Sequence, residues 1–408
     1  MSNFAFGTYR ITDQNPLHIQ ALRDAIASGI TMIDTSSNYM DGSAEIAIAL
    51  AFKEFDTETK EKIEIVSKYG YIQGTNMLSH QEEPYDGVVE FSEVCFHSIA
   101  PSFMRDQLKK SMSRLEVNKI DTYLIHNPEY YLLDALNKNA DRDDTLDAMY
   151  HRLYEAFVAL EEEVKNGRIG SYGISSNSFA KESKDLEFLP YEDLITLADR
   201  ASEKVGNDTH SFSTIQLPIN ILEQEGLKCA SWAKENGIRV LVNRPLNAQK
   251  DAQMYRLAEY DESSEYYHHF NELLDTCDNE TLKPLYNLFE ELDENKHKFG
   301  WIGDFDSFLY GQILPHIRKS LENLDEDSLN IMLQYIDVFF VEYRKMVEYE
   351  CSRNTKKALN DVFKDCHESM QECALNFLMQ RDSVDFILVG MRKPSYVHET
   401  LALKGKYS

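Results

Sequence analysis

The 408-residue chain has no run of about 18 consecutive apolar residues, the length that a membrane-spanning helix needs. Residues 1–7 lack the basic and apolar regions of a secretory signal. No two cysteines show CxxC spacing, so we expect reduced thiols rather than disulfides or a zinc site at Cys95, Cys229, Cys277, Cys351, Cys366 and Cys373. Lys and Arg total 42 against 69 Asp and Glu, and the net charge of -27 argues against nucleic-acid or anionic-membrane partners. We expect a cytoplasmic protein with an acidic, solvated surface.

From the N-terminus to about residue 250, a short apolar strand, a polar turn and an amphipathic helix follow one another repeatedly. The predicted strands cover residues 5–9, 31–34, 63–67, 122–126, 170–174, 214–217 and 239–242, and an eighth covers 385–389. Helical patterns lie between them, at 17–28, 44–55, 103–115, 150–166 and 222–235. Strands that alternate with helices favour a parallel sheet, and this number of strands is too large for a small doubly wound sheet. The pattern therefore predicts an α/β fold, a (β/α)8 TIM barrel.

Two segments interrupt this alternation. Residues 248–368 are rich in Glu, Asp, Asn, Tyr and Leu, contain almost no strand-like runs and have a helical period. They predict an acidic helical insertion between strands 7 and 8, with strands 1–7 in residues 1–247 and the last strand and helix in residues 369–408. A smaller insertion, residues 70–100, separates the third strand from its helix. Both follow the C-terminal ends of strands, which form the active-site face of such barrels.

Four polar residues each end or follow a buried strand. Asp34 ends the apolar run 30–33, Tyr39 follows five residues later, Lys68 ends the third strand and His126 ends the fourth. Because parallel strand ends converge at one face of a barrel, we expect these side chains to meet. A carboxylate, a phenol, an ammonium and an imidazole gathered together can transfer protons.

A carbonyl group that accepts hydride develops negative charge on its oxygen and needs a proton there. Tyr39 is the candidate general acid, and the base in the oxidative direction. The ammonium of Lys68 is expected to lower the pKa of this tyrosine from about 10. Asp34 is expected to pair with Lys68, and His126 to donate a hydrogen bond to the substrate oxygen. Taken singly, each residue also fits a cap, a turn, packing or a solvated strand end.

The order and context of these residues resemble the aldo-keto reductases. That family places Asp and Tyr in a strand-end segment similar to residues 29–39, followed by a Lys that ends strand three and a His that ends strand four. Gly42 and Glu45 also fit its Tyr-x-x-Gly-x-x-Glu pattern, and residues 167–177 are similar to its fifth strand. The resemblance covers residues 4–248 and 370–403. It implies an NAD(P)H-dependent oxidoreductase that interconverts an aldehyde or ketone, sugars included, and its alcohol by hydride transfer.

The resemblance also implies a cofactor site. The family binds NADPH, or less often NADH, across the barrel mouth without a Gly-rich turn, and this chain has no GxGxxG motif. Ser175 and Ser176 (or Asn177) would meet the nicotinamide carboxamide, with Gln216, which ends strand six, beside them. Glu399 and Thr400 match positions that reach the adenine.

Two segments depart from the family pattern. Many relatives have a stacking aromatic residue after strand seven, whereas this chain has Asn243 and Arg244. The guanidinium of Arg244 is expected to lie against a ring or to meet a phosphate. After strand eight, Gly390 stands where some relatives have a basic residue that holds the 2′-phosphate of NADP. Arg392 and Lys393, at a helix start, are expected to do so by charge and helix dipole.

Alternative functions are compatible with the same residues. The barrel of such a protein can serve as a regulatory or scaffold subunit, which would bind NAD(P)H and meet a protein partner through the helical insertion. We favour the alternative that the insertion is a lid, which covers the cofactor and narrows the substrate pocket. A metal-dependent hydrolase would need clustered ligands at strand ends, where only His126 qualifies, so we expect no metal. Five tyrosines near strand ends are candidates either for lining the pocket or for packing: Tyr9, Tyr69, Tyr71, Tyr130 and Tyr131.

Overall fold

The structure is a computed structural model and describes residues 3–322 and 324–407. The chain divides into two compact units. The first, which we call the barrel unit, comprises Met1–Pro245 and Leu375–Ser408, and the second, the helical unit, comprises Leu246–Ala374.

The barrel unit contains a closed parallel barrel of eight strands, as the sequence predicts. In chain order these are β1 (Asn3–Gly7), β2 (Met32–Asp34), β3 (Glu64–Tyr69), β4 (Ile120–His126), β5 (Ile169–Ser175), β6 (Phe212–Pro218), β7 (Arg239–Asn243) and β8 (Phe386–Val389). Each pairs with its neighbours in sequence, and β8 closes the barrel by pairing with β1. All eight C-terminal strand ends therefore face the same way.

Helices connect the strands of the barrel unit. They span Pro16–Ala27, Ser43–Phe52, Thr57–Glu61, Thr75–Glu82, Pro101–Leu115, Tyr130–Asn137, Arg142–Lys165, Leu194–Val205, Gly226–Glu235 and Pro394–Tyr407, and Met370–Met379 crosses the boundary between the units. Apolar side chains fill the barrel core, among them Met32, Val66, Leu124 and Leu241. Where β5 and β6 approach most closely, a Cβ on Gly173 would lie 1.8 Å from the carbonyl oxygen of Thr214, so only glycine fits.

A polar cluster joins the N-terminal halves of four barrel strands. Arg239 of β7 donates to both carboxylate oxygens of Glu64 on β3, at 2.5–2.6 Å. It also donates to the hydroxyls of Thr122 on β4 and Thr214 on β6, at 3.0 and 3.2 Å. One guanidinium thus connects strands on opposite sides of the barrel.

We expect Arg239→Met to lower the free energy of unfolding by about 2–3 kcal/mol, because it leaves a half-buried carboxylate without its charged partner. Urea denaturation measures this change. The matched control is Lys228→Met, which breaks an exposed ion pair with Glu225 and should change stability by less than about 0.5 kcal/mol. Equal losses in the two variants would contradict a special role for the cluster.

The segment after β3 forms a small antiparallel sheet. Its strands are Tyr71–Ile72, Val89–Ser92 and Cys95–His97, with the last in the middle, and helix Thr75–Glu82 lies between the first two in sequence. This sheet brings the side chains of Tyr71 and His97 to the end of β4.

The helical unit has its own apolar core. Its helices are Tyr266–Cys277, Lys283–Asn295, Ile302–Phe308, Leu314–Leu321, Glu326–Ala358 and Asn360–Phe363. Phe289, Phe305, Phe339 and Tyr343 are fully buried among them. The unit begins with a hairpin of strands Asn247–Lys250 and Gln253–Arg256, which the sequence pattern did not predict.

One expectation about the cysteines is wrong. Cys366 and Cys373 form a disulfide, because the turn before helix Met370–Met379 brings their Cα atoms to 6.2 Å. Cys95, Cys229, Cys277 and Cys351 are free and buried. The cytoplasmic location stays a prediction. Within the described residues, we find no helix with the length and apolar character needed to cross a membrane.

Candidate active site

Three of the four predicted catalytic residues meet around one buried ammonium group. Lys68 Nζ lies 2.8 Å from the Asp34 carboxylate, 2.7 Å from the carbonyl oxygen of Thr35 and 3.3 Å from the hydroxyl of Tyr39. Lys68 is fully buried and Asp34 is nearly so. The three hydrogens of the ammonium therefore all have acceptors, which fixes its position relative to the phenol.

A tight turn after β2 positions Tyr39. Tyr39–Gly42 forms a short helical turn in which Met40, Asp41 and Gly42 have positive φ angles of 50°, 56° and 87°. The positive φ of Gly42 favours glycine, and a Cβ there would lie 2.7 Å from Arg114 Nε, so the arginine side chain would have to move. The turn returns the phenol ring to the end of β3.

Burial disturbs the protonation of this cluster. It raises the pKa of Asp34 and lowers the pKa of Lys68, while the charge of each partner opposes that shift. Burial, then Asp34 and Tyr9, raise the pKa of Tyr39 well above 10. The expectation that Lys68 lowers the pKa of Tyr39 is therefore wrong for this structure, because burial and then the negative charge of Asp34 outweigh the effect of the nearby ammonium. Tyr39 is a neutral phenol with a proton to give.

His126 lies beside this cluster and is neutral at pH 7. Burial, then the charges of Lys68 and His97, hold its pKa well below 6.5. Its Nδ1 lies 3.2 Å from the hydroxyl of Ser36, and its carbonyl oxygen lies 2.7 Å from Nε2 of His97. The ring of Tyr71 meets the imidazole edge-on at 4.8 Å. The tautomer of His126 depends on the one hydroxyl hydrogen of Ser36, because Ser36 Oγ also lies 2.7 Å from Asn38 Oδ1. When Ser36 donates to His126 Nδ1, the imidazole proton is on Nε2 and that nitrogen is a donor; when Ser36 donates to Asn38, Nδ1 carries the proton instead.

The predicted carboxamide-binding residues connect to the catalytic cluster. Ser175 Oγ donates to Gln216 Oε1 at 3.1 Å, and Gln216 Nε2 donates to Asp34 at 2.7 Å. Ser176 is buried, and its N–H donates to the Gln216 carbonyl oxygen at 2.9 Å. Asn177 is exposed and lies at the start of the next turn. A continuous hydrogen-bond path therefore runs from the end of β5 to Lys68.

The residues after β7 offer polar groups where relatives have an aromatic ring. Asn243 Oδ1 is buried without a hydrogen-bond partner among the described residues. Arg244 has a φ of 51° and pairs with Glu223 at 2.9 Å. The guanidinium is thus already partly neutralised, which weakens the case that it meets a phosphate.

The segment after β8 lies at the same end of the barrel. A Cβ on Gly390 would meet nothing within 4 Å, so the backbone there is open to an approaching group. Arg392 is half-buried and Lys393 is exposed, immediately before helix Pro394–Tyr407. On that helix Glu399 is exposed and Thr400 is buried. Two basic side chains next to the N-terminus of a helix can bind an anion, because their charges and the free N–H groups of the first turn both attract it.

The five candidate tyrosines have different positions. Tyr9 is 66% exposed and meets the Tyr39 ring edge-on at 5.3 Å, and Tyr71 and Tyr130 pack together near His126. Tyr69 is fully buried and stacks on Tyr123, so it has a packing role. Tyr131 lies under the guanidinium of Arg152 at 4.6 Å.

Three residues of this site were not predicted from the sequence, namely Ser36, His97 and Glu129. Glu129 is 2% exposed, and its Oε1 accepts the N–H of Asn177 at 2.8 Å. The sequence feature that could have indicated Glu129 is its place in the run His126-Asn127-Pro128-Glu129, which begins at the end of β4.

The described strand ends contain no cluster of His, Cys, Asp or Glu side chains close enough together to bind a metal ion. Among the described residues, the cluster that is close enough belongs to the helical unit and consists of His268, His269 and Glu272.

Comparison with known proteins points to one family. The model of the aldo/keto reductase family matches residues 3–404. An uncharacterized oxidoreductase of Schizosaccharomyces pombe is 24% identical over 149 residues, which are 33% of this chain and 46% of that protein. The match thus spans about half the length of that relative.

Solved structures that resemble this chain are also called aldo-keto reductases, but their similarity to it in sequence and in structure is low. The holo form of an aldo-keto reductase from Bacillus halodurans has a TM-score of 0.49 at 15% identity, covering 98% of this chain and 86% of that chain. An aldo/keto reductase from Klebsiella pneumoniae in complex with NADP and acetate has a TM-score of 0.46 at 13% identity, covering 98% and 85%.

Proposed function

Because the chain belongs to the aldo/keto reductase family, we propose that it is an NADP(H)-dependent oxidoreductase, with NAD(H) as the alternative cofactor. It would interconvert a small aldehyde or ketone, sugars included, and the corresponding alcohol. The observation that supports this best is the buried Asp34–Lys68 pair within hydrogen-bond reach of Tyr39. A protein that used this barrel only as a scaffold would not need a buried ion pair to hold a phenol in place.

In the proposed reaction, side chains of this protein donate and accept the proton. NADPH, when bound, supplies the hydride that goes to the carbonyl carbon. Tyr39 gives its phenolic proton to the carbonyl oxygen, so that the oxygen does not keep a full negative charge. Lys68, 3.3 Å away, stabilises the phenolate that remains, and His126 orients the carbonyl by a hydrogen bond. In the oxidative direction the same phenolate takes the proton back.

The polar groups at the strand ends fit a dinucleotide. Ser175, Ser176 and Gln216 are buried at the ends of β5 and β6, and Asn243 leaves one buried oxygen without a partner among the described residues. These groups would hold the nicotinamide end. Arg392 and Lys393 would hold a 2′-phosphate, which is why we place NADP before NAD.

One observation favours a second function, that of a cofactor-binding regulatory or scaffold subunit. In the helical unit, Ile331, Val338 and Val341 on helix Glu326–Ala358 are 54%, 41% and 57% exposed. Their spacing places them on a common side of that helix. Exposed apolar side chains in such a row suit a protein partner.

The proposed function predicts that the purified protein binds NADPH and reduces a small carbonyl compound. We expect saturable binding of NADPH by fluorescence titration, with NADH weaker because it lacks the 2′-phosphate. A panel of aldehydes, ketones and sugars then tests turnover. The matched variant Arg392→Gln/Lys393→Gln should weaken NADPH binding more than NADH binding. Absence of binding by both nucleotides would exclude the oxidoreductase, and binding without turnover across the panel would favour the regulatory subunit.

A further inference from the structure

Glu129 is a buried carboxyl group between two loops of the barrel mouth. It stands three residues after His126, at the end of β4, and immediately before helix Tyr130–Asn137. It is 2% exposed, and its Oε1 accepts the backbone N–H of Asn177 at 2.8 Å. The neighbouring hydrogen bond from Asn177 Nδ2 to Asn127 Oδ1, at 3.3 Å, joins the same two loops. Glu129 therefore fixes the backbone at Asn177, next to Ser176.

Hydrogen bonding alone does not require a carboxyl group at this position. A glutamine has the same shape and would accept the same N–H through its amide oxygen. No described cation forms an ion pair with Glu129. The ionisable groups that face it are the hydroxyls of Tyr71 and Tyr130, and the pKa of each is raised, so both stay neutral. The carboxylate therefore accepts one N–H through Oε1, its Oε2 is buried without a hydrogen-bond partner among the described residues, and no described cation pairs with it.

The charge of Glu129 also costs stability. Burial raises the pKa of Glu129 from 4.5 to about 7. The folded protein therefore binds this proton more tightly than the unfolded chain, and stability falls as the pH rises from about 4.5 to about 7. A titratable group kept where it destabilises the fold is a candidate for a functional role.

We propose that Glu129 is a positioning residue for the nicotinamide end of the cofactor, and that its carboxylate holds the Ser176–Asn177 backbone where the carboxamide binds. A carboxylate makes a stronger hydrogen bond to a backbone N–H than a neutral acid does. Protonation of Glu129 loosens the loop, so the cofactor binds less tightly to the protonated form. This inference rests on the proposed function, because it needs the cofactor to occupy the ends of β4 and β5.

The test is the affinity for NADP+ between pH 6 and pH 8.5, measured by calorimetry on the full chain. For the wild type we expect the dissociation constant to rise about 3- to 10-fold from pH 8 to pH 6, beyond the change seen in Glu129→Gln. The 2′-phosphate of the ligand titrates in the same range, but equally for every variant, so the ratio of wild type to Glu129→Gln isolates this residue. Glu129→Asp keeps the charge and shortens its reach, so it should bind more weakly at every pH and keep the pH dependence.

The matched control is Glu161→Gln. Glu161 on helix Arg142–Lys165 is also fully buried and accepts a backbone N–H, that of Ser211, at 2.7 Å, but Ser211 precedes β6, at the end of the barrel opposite to the C-terminal strand ends. It should leave the pH dependence of binding unchanged. A second readout is thermal unfolding without ligand, where Glu129→Gln should be more stable than the wild type at pH 8, and most of this difference should disappear at pH 5.

The outcomes separate the two proposals. If the wild type and Glu129→Gln show the same pH dependence of NADP+ binding, the inference about Glu129 is wrong and the proposed function stands. If the wild type binds no NADP+ at any pH, the proposed function fails and this inference fails with it.

Discussion

Tyr39→Phe should lower the rate of carbonyl reduction by about 100- to 10,000-fold and leave the affinity for NADPH nearly unchanged. The substitution removes one oxygen, the acceptor 3.3 Å from Lys68 Nζ, and keeps the ring that meets Tyr9 and His126 edge-on. Without the phenol, the carbonyl oxygen gains no proton as the hydride arrives. Steady-state kinetics together with NADPH titration measure both effects.

Tyr9→Phe is the matched control for this result. It removes the same atom from a neighbouring ring, 5.3 Å away and 66% exposed, which has no proposed part in proton transfer. We expect it to keep turnover within about threefold of the wild type. A Tyr39→Phe variant that is as fast as the wild type would refute the assignment of the proton donor.

The barrel was predictable because its signals are local. Each strand is a short apolar run. Gly29, Gly167 and Gly237 each follow the capping residue of a helix, and their positive φ angles of 90°, 71° and 70° suit a helix end before a strand. The first and last residues of the helices were harder to predict. The helix predicted from residue 150 begins at Arg142, because Asp141 caps it by accepting the N–H groups of the next turn.

Asp34, Lys68 and His126 were predictable as a group because each lies at or near a strand end, where parallel topology brings the side chains together. Tyr39 lies five residues after β2, and the turn Tyr39–Gly42 brings it to the same place. Ser36 and His97 were not predictable in this way. His97 reaches the carbonyl oxygen of His126 only because the small sheet after β3 folds back onto β4, a contact across 29 residues. The raised pKa of Tyr39 was missed for a related reason, since burial and then the negative charge of Asp34 outweigh the single nearby ammonium.

Lys68→Met should remove turnover and also lower the free energy of unfolding by about 3–5 kcal/mol. The side chain is fully buried, and its loss leaves the Asp34 carboxylate with Gln216 Nε2 but no cation. Burial then raises the pKa of Asp34 further, so the folded state binds this proton more tightly than the unfolded chain. The stability deficit should therefore be smaller at pH 5 than at pH 8, in denaturant titrations at both pH values.

The double variant Asp34→Asn/Lys68→Met separates stability from catalysis. It removes both charges, so no buried carboxylate stays unpaired. Most of the lost stability should therefore return, and the added pH dependence of stability should disappear. Turnover should not return, because no ammonium remains within 3.3 Å of the phenol to stabilise its conjugate base. If the double variant recovered stability and activity together, Lys68 would be a structural partner of Asp34 and not the group that stabilises the Tyr39 phenolate.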